Sequence, residues 1–233
     1  VESNAEVKIR GNSTIIADND VNISAQSKAV AGDTIVGFGF AIGYAKATAN
    51  AVATVEDNAS ILAGGSVHLI SLTDNTIALA AESEGDLYAV PFEIAVAVSE
   101  AYSDATTTVN PNASVTATSG DVRVIAANTS TLAVSASAAA TKQQVALIGV
   151  GISLSEATSN AIVHGTVSAG GDVNVIAQTN AIANSLDVNS GLKVTFADKL
   201  ENRLKNSKYK ALNAIGPLLA INAAIEAVAA WRG

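Results

Sequence analysis

The stretch AGGDVNVIAQ, Ala169 to Gln178, joins a glycine turn to an alternating run, and weaker copies of it stand three times earlier in the chain. They read ADNDVNISAQ from Ala17, AGGSVHLISL from Ala63 and TSGDVRVIAA from Thr118. At the start of each run apolar and polar residues alternate, the pattern of a strand with one buried face. Gly64-Gly65, Gly120-Asp121 and Gly170-Gly171-Asp172 supply turn positions ahead of three of the runs at low steric cost. A shorter strand lies upstream, at Ser60–Ala63, Ser114–Ala117 and Thr166–Ala169. The chain approaches such strands through turn-forming residues, Arg10-Gly11-Asn12, Asp57-Asn58-Ala59 and Pro111-Asn112-Ala113. Each copy therefore reads as a corner between two faces of a stacked coil.

The corner residues Val21, Val67, Val122 and Val173 are separated by 46, 55 and 51 positions. A second landmark has nearly the same period: Val36–Ala51, Val90–Ala105 and Ala146–Ala161 superpose without gaps, and their alanine pairs Ala47/Ala51, Ala101/Ala105 and Ala157/Ala161 advance by 54 and 56. Solenoid coils of three strands run to about 20–28 residues, so this unit is expected to hold two coils. In the gapless segment one parity is large (Phe40/Ile94/Val150, Ile42/Val96/Ile152, Tyr44/Val98/Leu154) and the other small (Gly39/Glu93/Gly149, Ala41/Ala95/Gly151, Gly43/Ala97/Ser153). Strands apolar on both faces are usually covered on both. The large residues are expected to fill the solenoid, and the small ones to be approached by another chain, another layer or the C-terminal segment.

From Phe196 the period changes. Phe196, Leu200 and Leu204 fall at helical spacing, as do Leu218, Ile221, Ile225 and Val228, with Gly216-Pro217 between the two runs. The sequence thus predicts an all-β parallel β-helix (β-solenoid) over residues 1–195, and a helical segment over 196–233 that caps the last rung or packs as a layer. Ala211–Ala230 has the length of a membrane span, but Asn213, Asn222, Glu226 and the Gly-Pro break oppose one.

Composition narrows the chemistry. Aromatic residues make up only 4%, and Ala, Val, Ile, Ser, Thr, Asn and Gly dominate long tracts, which suits a narrow interior. There is no cysteine, so disulfides and thiol-based zinc or redox sites are excluded. Methionine is absent as well, even at position 1, and Val1-Glu-Ser-Asn4 is not a signal sequence; a processed product or excised fragment is expected. The net charge of −8 is unevenly spread. Residues 193–233 hold seven bases and three acids, about +4, which leaves the rest near −12. An acidic body repels phosphate, so nucleic acid is not an expected partner. The basic segment has the charge to dock on the body.

No constellation of reactive groups stands out. His68 and His164 are isolated and read as surface residues. Asp18 with Asp20, Glu82 with Glu84 and Asp86, and Glu100 aligned with Glu156 are the carboxylates available to a polysaccharide-cleaving β-helix enzyme. The Glu100/Glu156 column also contains Lys46, which marks it as solvated surface. Asp18-Asn19-Asp20 lacks the spaced ligands of a calcium site. No catalytic, cofactor or metal residue is assigned, and no cofactor is expected. Asn12, Asn22, Asn58, Asn112 and Asn128 each begin an N-x-S/T sequon, which Asn- and Ser-rich turns generate readily. The Thr106-Thr-Thr108 run has no threonine lattice at equivalent positions.

The cadence of a small-residue strand followed by xAxVxxxAxVxAGGDVxVxA, at Ala105–Ala126 and Asn160–Ala177, resembles the repeat regions of very large bacterial filamentous adhesins of the filamentous-haemagglutinin type. The resemblance covers about residues 5–180 and leaves the helical end unexplained. It implies a right-handed parallel β-helix, secretion from a Gram-negative cell to its surface, and a rod-like role in attachment or aggregation. Some high-molecular-weight members carry glucose on such sequons. The expected partners are a glycan or protein on a host or neighbouring cell, and further copies of the chain. The alternatives are a β-helix polysaccharide-degrading enzyme and a self-assembly module that uses the Ala/Gly strand faces and the helical tail.

Overall fold

The computed structural model describes residues 1–37, 39–85, 92–140 and 146–189. The helical segment expected at 196–233, with the candidate span inside it, lies outside the described residues. Among those described, no helix is long and apolar enough to cross a membrane.

The elements are β1 (Glu2–Ile9), β2 (Thr14–Ala17), β3 (Val21–Gly37), β4 (Phe40–Val55), β5 (Ser60–Ala63), β6 (Val67–Gly85), β7 (Phe92–Val109), β8 (Ser114–Ala117), β9 (Val122–Ala140), β10 (Ala146–Val163), β11 (Thr166–Ala169) and β12 (Val173–Asn189). They form three parallel sheets: sheet I, β1-β4-β7-β10; sheet II, β2-β5-β8-β11; and sheet III, β3-β6-β9-β12. The chain visits the sheets in turn, so β4-β5-β6 is one coil and β7-β8-β9 the next. This is a parallel β-solenoid, and the quoted stretch is the corner from sheet II to sheet III.

The repeat unit is one coil, not the expected two. Val21 pairs directly with Val67, Val67 with Val122, and Val122 with Val173. The coil is long because its alternation runs unbroken: β6 and β9 have 19 residues each, β7 and β10 have 18. At about 3.3 Å per residue such strands extend roughly 60 Å. Sheets I and III lie face to face along that length, and the four-residue strands of sheet II close one end.

The register also corrects the third copy. Phe40 stacks on Ile94 and Ile94 on Ile148; Ala47 stacks on Ala101 and Ala101 on Ser155. The step is 54 both times rather than 54 then 56. A shift of two preserves strand parity, so the hydrophobic pattern alone does not distinguish the two alignments.

Parity is inverted relative to expectation. The small residues Ala41, Ala45, Ala47, Ala95 and Ala97 point into the sandwich and are buried, opposite Ile77, Leu79, Leu132 and Val134 of sheet III. Two parallel layers keep a nearly constant separation, so a row of large side chains on one requires small ones on the other. A Cβ added to Gly43 would stand 3.0 Å from Leu79 Cδ1 and 3.3 Å from Ile35 Cδ1. The large residues of sheet I face outward.

Between the far apolar cluster and a second cluster against sheet II (Val55, Ile61, Leu69, Val115, Val124) runs a polar seam. Asn75 Nδ2 donates to the Tyr102 carbonyl at 2.6 Å and to Ser103 Oγ at 2.8 Å. Ser71 Oγ donates to the Thr106 carbonyl at 2.8 Å, and Thr107 Oγ1 to the Ile125 carbonyl at 2.7 Å. These bonds cross from one long sheet to the other. Buried polar groups are tolerated when paired, and pairing across the gap ties the sheets together.

The turns repeat as the strands do. Asn12, Asn58 and Asn112 have φ of 61°, 60° and 60°. In each turn the residue after the asparagine donates its N–H to the carbonyl three positions back, at 3.1–3.2 Å. Pro111 holds φ negative at the preceding position, which with positive φ at Asn112 defines a type II turn.

Candidate interaction surfaces

Two outward faces have features that a flat polar strand surface lacks. The first is on sheet I, where Phe40, Ile42 and Tyr44 on β4, Ile94, Val96 and Val98 on β7, and Ile148, Val150 and Ile152 on β10 stack in register. The buried trio Ile94, Val96 and Val98 lies at the centre of this cluster. The patch is bordered by a further row, Lys46, Glu100 and Leu154, then by Thr48, Tyr102 and Glu156. Lys46 Nζ lies 5.0 Å from the centre of the Tyr102 ring, and Tyr102 Oη donates to Glu100 Oε2 at 3.3 Å.

The second is a groove of about 720 Å³ on sheet III, lined by Gln26, Lys28, Leu72, Asp74, Thr129 and Thr131 among others. Lys28 and Asp74 pair across adjacent coils at 2.9 Å, both well exposed. Such a pair contributes little stability but sets a polar, hydrogen-bonding floor.

The candidate carboxylates do not converge. Asp20 Oδ1 accepts the Ser66 N–H of the next coil at 2.6 Å, and Asp121 Oδ1 accepts the Asp172 N–H at 3.0 Å. These corner aspartates bind the rungs to each other. The Asp172 N–H, and then Arg123, whose Nη2 lies 3.3 Å from Asp121 Oδ2, hold the Asp121 carboxyl below the usual carboxylate range. Asp18 is exposed at the first corner, and Glu82 is exposed on β6. Asp86 lies outside the described residues, as does the placement of the Glu84 side chain. Glu100 and Glu156 are not stacked: Glu100 pairs with Leu154, and Glu156 with Tyr102. Nor is Glu100 solvated surface, being only 3% exposed.

His68 stacks between Asn22 and Arg123 on the outer face of sheet III, and His164 is exposed in the shortened turn before β11. Among the described residues no group of three or more His, Asp or Glu side chains is placed to hold a metal ion. The sequons divide by burial. Asn12, Asn22, Asn58 and Asn112 are exposed, whereas Asn128 is 1% exposed and donates to Ser159 Oγ at 2.8 Å inside the solenoid. Thr106 stacks on Val52 below and Asn160 above, so no threonine lattice forms.

Glu93 shares a sequence column with small residues, yet it is a buried carboxylate, 1% exposed, at the end of the sandwich remote from sheet II. Its Oε2 accepts the Gly39 N–H at 2.7 Å and the Ser83 hydroxyl. The bond pins the turn between β3 and β4 to the coil above. Only the break in an otherwise Ala/Gly column marked this position.

No protein-family model, curated protein or solved structure matches the chain. The case for function therefore stands on the geometry and on the resemblance of the repeat cadence.

Proposed function

We propose that the protein is a non-enzymatic structural and adhesive module of a bacterial cell-surface filamentous adhesin. The observation that carries this reading is the direct coil-on-coil register of all three sheets, with corners and strand pairs repeated at the same places. Such a stack is stiff along its axis, because each coil is bonded to the next through its whole backbone. It also frees the outward side chains from any part in the fold's interior, so they vary from coil to coil at small cost. The groove at Gln26, Lys28, Asp74 and Thr129 is the outward feature best suited to a polar partner such as a glycan or a protein loop.

The self-association alternative loses the Ala/Gly faces, which are interior and unavailable to another chain.

Display of the chain on a non-adherent bacterium, followed by counting of attachment to cultured epithelial cells and of self-aggregation, tests the proposal. Increased attachment or clumping is expected. Unchanged adhesion together with reproducible depolymerisation of a polysaccharide by the purified chain would replace this reading with the enzymatic one.

A further inference from the structure

Protein groups alone do not satisfy the polar seam between the two long sheets. Among the described residues, Thr73 Oγ1, Asn75 Oδ1 and Asn128 Oδ1 are buried and make no hydrogen bond to another protein atom. Their residues are 3%, 0% and 1% exposed. The three are close neighbours. Thr73 stacks directly on Asn128 in the register of β6 and β9, and Asn75 follows two positions along β6 on the same inward face. Strands in a sheet lie about 4.8 Å apart and alternate residues about 6.6 Å, so one small molecule can reach all three.

The bonds that are made fix which way each amide points. Asn75 Nδ2 lies 2.6 Å from the Tyr102 carbonyl, where an amide oxygen would meet another acceptor, so Oδ1 must face away from it. Ser159 Oγ spends its one proton on the Gln178 carbonyl at 2.8 Å. It can therefore only accept from Asn128, at 2.8 Å from Nδ2, and the Asn128 oxygen is turned away as well. What is left over is two carbonyl acceptors and one hydroxyl. The facing sheet leaves room beside them. Thr107 meets Ser71 and Ser103 meets Asn75, which sets the fully buried Ala105 between them, opposite Thr73. Ala105 brings only a methyl group to that gap.

We propose that Thr73, Asn75 and Asn128 hold a structural water molecule inside the solenoid. It donates to the two asparagine oxygens and accepts from the threonine hydroxyl, and buried waters usually make about three such bonds. A metal or other cation fits the same place badly. The seam residues Ser27, Ser71, Thr73, Asn75, Ser103, Thr107, Asn128 and Ser130 are all neutral, and the buried carboxylates lie elsewhere, Glu93 at the end remote from sheet II and Glu100 on the outward side of sheet I. An ion taken out of water with no opposite charge beside it pays a desolvation cost that a neutral molecule does not.

Magnetic relaxation dispersion of the water oxygen, measured on the full-length protein, counts molecules held longer than the protein takes to tumble. Ala105→Val fills the gap opposite Thr73, and Thr106→Val, on the outer face of the same strand, is its control. A loss of about one long-lived water is expected in the first variant and none in the second. The parent's count in an Ala105→Val protein of native circular dichroism overturns the proposal. A high-resolution crystal structure of the parent supplies an arm that does not depend on the variant folding. A density peak within about 3 Å of both asparagine oxygens is expected. No peak there, or a direct bond from Thr73 to Asn128 that closes the gap, overturns the proposal. So does a peak accompanied by stability that rises with sodium or potassium at constant ionic strength, since that result assigns the place to a cation. None of these outcomes turns on whether the rod mediates adhesion.

Discussion

Gly43→Val is the substitution whose sign depends most sharply on which face of sheet I points inward. In the structure the new Cβ meets Leu79 Cδ1 at 3.0 Å, Leu79 Cγ at 3.4 Å and Ile35 Cδ1 at 3.3 Å, and the branched methyls extend farther into the same side chains. Overpacking of this kind costs about 1–3 kcal/mol. Leu79→Ala alone, at 3% exposure, should cost about 2–5 kcal/mol through the lost methyl groups and the cavity they leave. In the double variant the valine occupies space vacated by the leucine, so the combined loss should fall short of additivity by about 1–2 kcal/mol. Urea unfolding followed by circular dichroism, with the four proteins of the cycle compared, measures this. Were position 43 outward, valine in place of glycine on an open strand would be neutral or stabilising, since a strand interior favours a β-branched residue over glycine. Stabilisation by Gly43→Val, or strict additivity with Leu79→Ala, would refute the assignment of small residues to the interior.

Asn58→Ala should cost about 1 kcal/mol and Asn58→Gly little or nothing, because the turn requires φ of 60°; equal losses in thermal unfolding would show that the left-handed conformation is not what matters there. Asn75→Ala removes two bonds across the seam and should destabilise by about 1–3 kcal/mol, while Asn180→Ala on the open surface should change little in the same assay. Asp121 has a carboxyl pKa depressed by folding, so its contribution is present above the unfolded-state value and is lost as pH falls through the folded one. Denaturation midpoints between pH 6 and pH 2 should therefore fall more steeply in the parent than in Asp121→Asn, and parallel curves would deny the corner aspartate its role.

The corners were legible because they need special chemistry. The glycine turns at 64–65, 120–121 and 170–172, with Asn12, Asn58 and Pro111-Asn112, occur where the backbone must turn, and the structure places turns or corners at each of these. Sheet II was legible for the same reason, being framed by turns on both sides. The coil length was not legible from habit: periodicity locates equivalent residues but does not say how many strands lie between turns, and here 16–19 residues pass without one. Parity failed for a physical reason too. A strand apolar on both faces has no polar side to mark solvent, and only the partner sheet, with Ile77, Leu79, Leu132 and Val134, decides which face receives small residues. Of the candidate surfaces, the sheet I patch is visible in sequence as a stretch nearly free of charge, but its large residues face outward rather than into the solenoid. The groove on sheet III and the buried Glu93 depend on residues far apart in sequence, and nothing local announced them.

Dipolar electron paramagnetic resonance between spin labels at Asn22 and Asn174 tests the stacking most directly. These positions lie on the outer face of sheet III in the first and fourth of the described coils, joined through His68 and Arg123 by three inter-strand steps. At about 4.8 Å per step the backbones should be about 14 Å apart. A distribution centred near that value, broadened by the label arms, is the result predicted by one coil per repeat; a separation near 29 Å, as two coils per repeat would require, contradicts it.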